Sequence, residues 1–302
     1  MTGRAHDDGL FPGFRLDEVD VGEVRLRVRH GGHGPVVVLL HGHPRTHTTW
    51  WRVAPLLAEH LTVVCPDLRG YGRSTAPADL PDHAQASKRA MADDVAGLLG
   101  ELGHARAAVV GHDRGSYVAH RLAVDHPDLV THLTVMDGVP IGEALARADS
   151  RFAQLWWHWF FLGQTAQPAE RVIGTDPDAW YRLDADAMGR GNHEDALAAV
   201  RDPAVVHAMC EDYRAGLGPD RAADDADRRA GRRVRCPVHV LWAQDDDMGT
   251  LYGDPREVWR SWADDVTGHA VPGGHHTAED QPSALASALL GVLVGPDAVT
   301  PP

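Results

Sequence analysis

No stretch constrains this chain more than Val109-Val110-Gly111-His112-Asp113-Arg114-Gly115-Ser116. Apolar, β-branched residues run into two glycines that bracket one acid, and Tyr117-Val118-Ala119-His120-Arg121-Leu122-Ala123 continues in a helical pattern. A strand that turns into a helix over G-x-nucleophile-x-G is a nucleophile elbow. The turn is strained and raises its middle residue, and the glycines allow close backbone approach. That middle residue is Asp113, neither serine nor cysteine. A carboxylate nucleophile needs a carbon bearing a leaving group, and a second group must then activate water to cleave the ester it forms.

The surrounding pattern says what carries the elbow. Arg15 to His30 alternates well enough for an antiparallel hairpin. Pro35 to Leu40, Leu61 to Cys65, Ala107 to Val110 and Leu133 to Met136 are apolar runs of strand length. Between them lie helical patterns. One carries Trp50, Val53, Leu56 and Leu57 on one side; another, capped by Ser87, carries Met91, Val95, Leu98 and Leu99. The alternation stops after Pro140, and from Ile141 to about Arg235 only helical stretches with Pro and Gly breaks are legible. It resumes with Val238 to Leu241, a helix around Val258 to Trp262, a short strand near His269 to Val271 and a helix over Leu285 to Leu293. The expected fold is α/β: a mostly parallel, doubly wound sheet built from residues 1–140 and 236–302, with a helical cap from 141–235 inserted at a strand's carboxyl end. The residues up to Gly13 read as a polar tail and those from Gly295 as a fraying end. The mixed-charge run from Asp224 to Arg233 reads as a solvated face.

Composition excludes several partners. A net charge of −14 argues against nucleic acid and anionic membranes. Cys65, Cys210 and Cys236 are too few and scattered for a disulfide framework or a metal knuckle. Without a long apolar run or a signal-like start, the expectation is a cytoplasmic protein with a small-molecule substrate and no cofactor.

His275, in Gly273-Gly274-His275 after the last expected strand, is the candidate base. Two acids compete to hold its imidazole, Asp137 at the end of one strand and Asp246 at the end of the next, and spacing does not choose between them. The backbone N–H groups of His43, in His41-Gly42-His43-Pro44, and of Arg114 can form an oxyanion hole. His41, His43 and His47 have a superficially metal-binding spacing, but no matching downstream ligands accompany them, and no metal is expected.

With those residues in hand, the chain resembles the fluoroacetate (haloacetate) dehalogenases of the α/β-hydrolase superfamily. The most specific pieces are Gly111-His112-Asp113-Arg114-Gly115, Ala119-His120-Arg121, Asp125-His126-Pro127 and Trp157-His158-Trp159-Phe160-Phe161-Leu162. The resemblance implies an α/β-hydrolase fold in which Asp113 displaces halide and His275, oriented by Asp137, hydrolyses the ester. It implies that Arg114 binds the substrate carboxylate, that His158, Trp159 and Tyr213 donate to the departing halide, and that the protein forms a homodimer. One departure stands out: those enzymes usually carry a second arginine three residues after the first, and here that position is Tyr117. Tyr117, with Arg45 approaching from another direction, is the expected replacement in a carboxylate site. An epoxide hydrolase with the same Asp113 and His275, using Tyr117, Tyr181 and Tyr213 as proton donors, is the alternative.

Overall fold

The computed structural model describes residues 9–295. Eight strands form one sheet in the order β1-β2-β4-β3-β5-β6-β7-β8: β1 Arg15–Asp20, β2 Arg25–Gly32, β3 Val36–Leu40, β4 Thr62–Pro66, β5 Ala107–His112, β6 Val130–Met136, β7 Val238–Ala243 and β8 Val266–Val271. β1 and β2 form the expected hairpin and β2 runs antiparallel to β4; every other pair is parallel. The central strands are apolar throughout because helices cover both their faces. On the Lys88–Glu101 helix, Ser87 Oγ accepts from the Ala90 N–H, and Met91, Val95, Leu98 and Leu99 are buried as one stripe. Each such side chain contributes about 1.5–3 kcal/mol on removal from water.

The elbow forms because two glycines let backbones nearly touch, and a third, Gly42, lets the turn after β3 approach Asp113. A Cβ on Gly111 would lie 2.2 Å from the Gly115 carbonyl oxygen, and one on Gly115 would lie 2.4 Å from that of Leu40. Between them Asp113 adopts φ 49°, ψ −120°, and the Arg114–Asp125 helix begins at the next residue. β5, β6, β7 and β8 are neighbours, so Asp113, Asp137, Asp246 and His275, which follow them, meet along one edge of the sheet.

Between β6 and β7 the described residues form helices and turns, with one isolated bridge at Val234. This segment covers the carboxyl ends of the strands and is tied down by charge. Arg121 of the elbow helix reaches Asp224 at 2.8 Å and Asp227 at 2.5 Å on the Arg221–Ala230 helix. The mixed-charge run is therefore a solvated face only in part: Arg228, Arg229, Arg232 and Arg233 are exposed, but Asp224 and Asp227 are not. Asp224 and Asp227 are buried because the opposing element supplies an arginine at matching spacing.

Two other expectations differ. Leu56 is exposed, since a 3₁₀ turn over His47–Trp50 precedes the short Ala54–Ala58 helix and rotates it off that face. Phe11, placed in the polar tail, is buried against Phe14 and His47. The rest of that tail up to residue 8, and the end after 295, lie outside the described residues. No helix among the described residues is long and apolar enough to cross a membrane.

Candidate active site

A cavity of about 560 Å³ lies between the sheet edge and the helical segment. Asp113, Asp137, Asp246 and His275 line it from the sheet side; His158, Trp159, Tyr181 and Tyr213 line it from the helical side, with Tyr117 and His43 at the seam. His158 and Trp159 open the short His158–Leu162 helix, and Tyr213 belongs to the Pro203–Ala215 helix. Separate stretches of sequence thus converge on one space in front of Asp113.

The Asp113 carboxylate is held in one orientation. The His43 backbone N–H donates to its Oδ2 at 2.8 Å. Gly42 makes this approach possible, since a Cβ there would lie 2.5 Å from Asp113 Cβ. Burial would raise the Asp113 pKa, but the nearby His275, His112 and Arg114 charges outweigh it and keep the carboxyl below its ordinary value. The group is a carboxylate at neutral pH.

His275 Nδ1 donates to Asp246 Oδ2 at 2.7 Å. The hydrogen-bond partner of the imidazole is thus Asp246 and not the Asp137 that the resemblance implies. Asp137 Oδ1 accepts from the Ala243 N–H at 2.8 Å, while its Oδ2 lies 3.5 Å from His112 Nε2 and has no hydrogen-bond partner. Asp137 Oδ2 faces His112 at the end of β5, whereas Asp246 hangs from the loop after β7 and reaches the imidazole. Burial pushes His275 down, but the Asp246 hydrogen bond and the Asp113 and Asp137 charges lift it to about 9.

The two arginines expected at the substrate carboxylate are committed elsewhere. Arg114 is fully buried and does not line the cavity. Its Nε and Nη2 donate to Asp212 Oδ2 and Oδ1 at 3.0 and 2.9 Å, and Nη2 also reaches the Asp212 carbonyl at 2.8 Å. Only Nη1 lacks a partner. The guanidinium lies over the Tyr213 ring at 4.1 Å, and over Tyr117 and Trp159 at 5.4 Å each. Arg45 does line the cavity, but its Nε and Nη2 donate to the two oxygens of Glu279 at 2.9 and 3.0 Å. It is not the free cation expected of it. Asp212 and Glu279 escaped the sequence reading although both adjoin quoted motifs. An acid beside a key tyrosine or after a catalytic histidine gives no signal of the arginine it will meet.

The candidate donors are better placed. The side chains of His158, Trp159 and Tyr213 make no hydrogen bond among the described residues. Burial holds the His158 imidazole down to about 4, so it is neutral and carries one N–H. Burial, reinforced by the Asp113 charge, holds the Tyr117 and Tyr213 phenols well above their ordinary value, so both keep their O–H.

A family model described as the alpha/beta hydrolase fold matches residues 35–282. The chain belongs to the alpha/beta hydrolase fold family. This hydrolase is 42% identical over 288 residues to the fluoroacetate dehalogenase of Burkholderia sp, covering 93% of this chain and 94% of that protein. It is 31% identical over 303 residues to the soluble epoxide hydrolase of Corynebacterium sp. (strain C12), covering 96% and 97% respectively. Among solved structures it superposes on ALR0039 from Nostoc sp PCC 7120, an alpha/beta hydrolase, with a TM-score of 0.89 at 40% identity, covering 93% of this chain and 98% of that one. The likeness to the fluoroacetate dehalogenases read from the motifs thus holds over nearly the whole hydrolase.

Metal-ligating geometry in this hydrolase is confined to two groups among the described residues. His112, Asp137 and His275 place one ligand atom each within 4.8 Å of one another, and Asp79, His207 and Glu211 do the same. The His41, His43 and His47 set does not converge. His41 Nε2 accepts from the Leu68 N–H, His47 Nδ1 donates to Asp67, and His43 turns to the cavity.

Proposed function

We propose that this hydrolase cleaves the carbon–halogen bond of a short 2-haloacid, a haloacetate such as fluoroacetate, through an ester on Asp113. The observation that carries the reading is the convergence of an oriented carboxylate, an acid-bound histidine and three unpartnered donors on one cavity. Asp113 Oδ1, the oxygen not held by His43, attacks the halogen-bearing carbon; the carbon–halogen bond breaks and halide departs. Fluoride is a poor leaving group, and the His158, Trp159 and Tyr213 donors stabilise the charge it develops. The Tyr117 hydroxyl receives the substrate carboxylate, and the Arg114 guanidinium, behind the Tyr117 and Tyr213 rings, adds its charge through the cavity wall.

His275 then takes a proton from water as the oxygen attacks Asp113 Cγ. The negative charge gathers on Oδ2, where the His43 N–H already sits, with the Arg114 N–H completing the hole. Collapse breaks the Cγ–Oδ1 bond, the departing alkoxide takes the proton back from His275, and the second water proton leaves for solvent. The sum is haloacid plus water to hydroxyacid, halide and a proton.

The 42% identical relative, a fluoroacetate dehalogenase, supports this reading. A specific observation also favours an epoxide substrate: Tyr117, Tyr181 and Tyr213 all line the cavity, and Arg45 and Arg114 are each paired with a carboxylate. An epoxide needs phenolic O–H donors and no cation. Purified protein mixed with fluoroacetate or chloroacetate is expected to release halide, and Asp113→Ala to release none above background. Diol from styrene oxide with no halide from either acid would replace the first reading with the second.

A further inference from the structure

The structure holds a buried cation that the chemistry above does not use. Lys88, at the start of the Lys88–Glu101 helix, is 2% exposed and does not line the cavity. A lysine right after an N-cap is ordinarily a solvent-facing residue, and burying an ammonium costs several kcal/mol unless it is paired. Its Nζ contacts Asp212 Oδ1, the same oxygen that accepts from Arg114 Nη2. Asp212 Oδ2 accepts from Arg114 Nε and from the Tyr71 hydroxyl at 2.7 Å.

The arginine does not need that lysine for its own partners. Arg114 and Asp212 already satisfy one another through three hydrogen bonds and form a pair with no net charge. An anion in the cavity would be attracted by the buried guanidinium and repelled by the carboxylate beside it. Lys88 on the far side of Asp212 offsets that carboxylate when the lysine is protonated; burial and the Arg114 charge bring its pKa down to about 7. Asp220 contacts Lys88 in turn, with Oδ2 at 3.6 Å from Nζ and Oδ1 accepting the Lys88 backbone N–H at 2.8 Å. No hydrogen bond joins Asp220 to Arg114, so its effect arrives weakened by distance.

We propose that Lys88 is a positioning and specificity residue: through Asp212, it sets the charge with which Arg114 meets a substrate carboxylate. The inference rests on the haloacid reading. It also supplies a reason why Tyr117 can stand where the related enzymes carry a second arginine. The positive potential comes from behind the cavity wall.

Chloroacetate and chloroacetamide separate charge from shape, since both carry chloride on the same carbon and only the first is an anion. Chloride release is measured for wild-type, Lys88→Met, Lys88→Arg and Asp220→Asn protein, with Asp113→Ala as background. Lys88→Met is expected to raise KM for chloroacetate about tenfold while KM for chloroacetamide moves less than about twofold. Lys88→Arg restores the preference for the acid. Asp220→Asn, which keeps an acceptor for the Lys88 N–H, lowers KM for chloroacetate alone and remains informative if Lys88→Met does not fold. Equal changes on both substrates, or none on either, would overturn the role of Lys88 while leaving the reaction intact. Wild-type protein releasing chloride from neither would overturn the haloacid reading and this inference together.

Discussion

His275→Asn protein is expected to release one halide per chain from chloroacetate and then stop, carrying the extra mass of one carboxymethyl group. The displacement needs only Asp113 and the halide donors, and none of them depends on the imidazole. The hydrolysis does depend on it, because unassisted water attacks an alkyl ester slowly. Loss of the base should lower steady-state turnover by about 10²–10⁴. Intact-protein mass spectrometry of the quenched mixture reads the ester directly, and peptide mapping should place it on Asp113. Continued turnover by the variant would remove His275 from its role. The same base gives the wild-type enzyme its pH dependence. The imidazole is held at about 9 while Asp113 is ionised; esterification removes that charge and lowers the imidazole pKa, and hydrolysis should accelerate as rising pH frees the neutral base.

Asp246→Asn is expected to cost about 10²–10⁴ in kcat, and Asp137→Asn less than about tenfold. Asparagine at 246 either accepts from His275 Nδ1 through its amide oxygen or donates to it and selects the wrong imidazole tautomer, and in neither case does it carry a charge to stabilise the imidazolium that forms as water is deprotonated. The pH profile should move with it. Asp246 is one of the groups that lift His275, so its neutral replacement lowers the imidazole pKa and shifts the rise in hydrolysis to lower pH. Asp137 has one oxygen tied to the β7 backbone and touches His275 only through its charge. Its replacement should shift the profile slightly in the same direction. A larger loss from Asp137→Asn than from Asp246→Asn would restore the acid that the family resemblance implies.

The elbow was legible in the sequence because its constraint is local: three glycine contacts and one strained residue are written within a few positions of Asp113 and in the His41 to Pro44 turn. The order of strands was legible for a similar reason, since burial on both faces leaves continuous apolar runs. What spacing could not show was pairing across the sheet edge. Asp137 and Asp246 end adjacent strands, and only the side chains' orientation decides which one meets His275. Arg114 lies 98 positions from the Asp212 that claims it, and Arg45 lies 234 from Glu279. Ion pairs of that reach leave no periodic trace. The run from Asp224 to Arg233 looked solvated because its partner, Arg121, sits on another helix.

The hydrogen bond from the His43 N–H to Asp113 Oδ2 makes the two carboxylate oxygens distinguishable, and this has an isotopic consequence. In the proposed cycle the product hydroxyl oxygen is Oδ1 of the protein, and solvent oxygen refills the empty place. The first product formed in ¹⁸O-water is therefore unlabelled. If the backbone keeps Oδ2 pinned through the cycle, the incoming atom always occupies the attacking position, and the second product is fully labelled. A carboxylate free to flip would give only half. Protein atoms would thus pass into product one at a time, in strict order, with a single backbone amide acting as the ratchet.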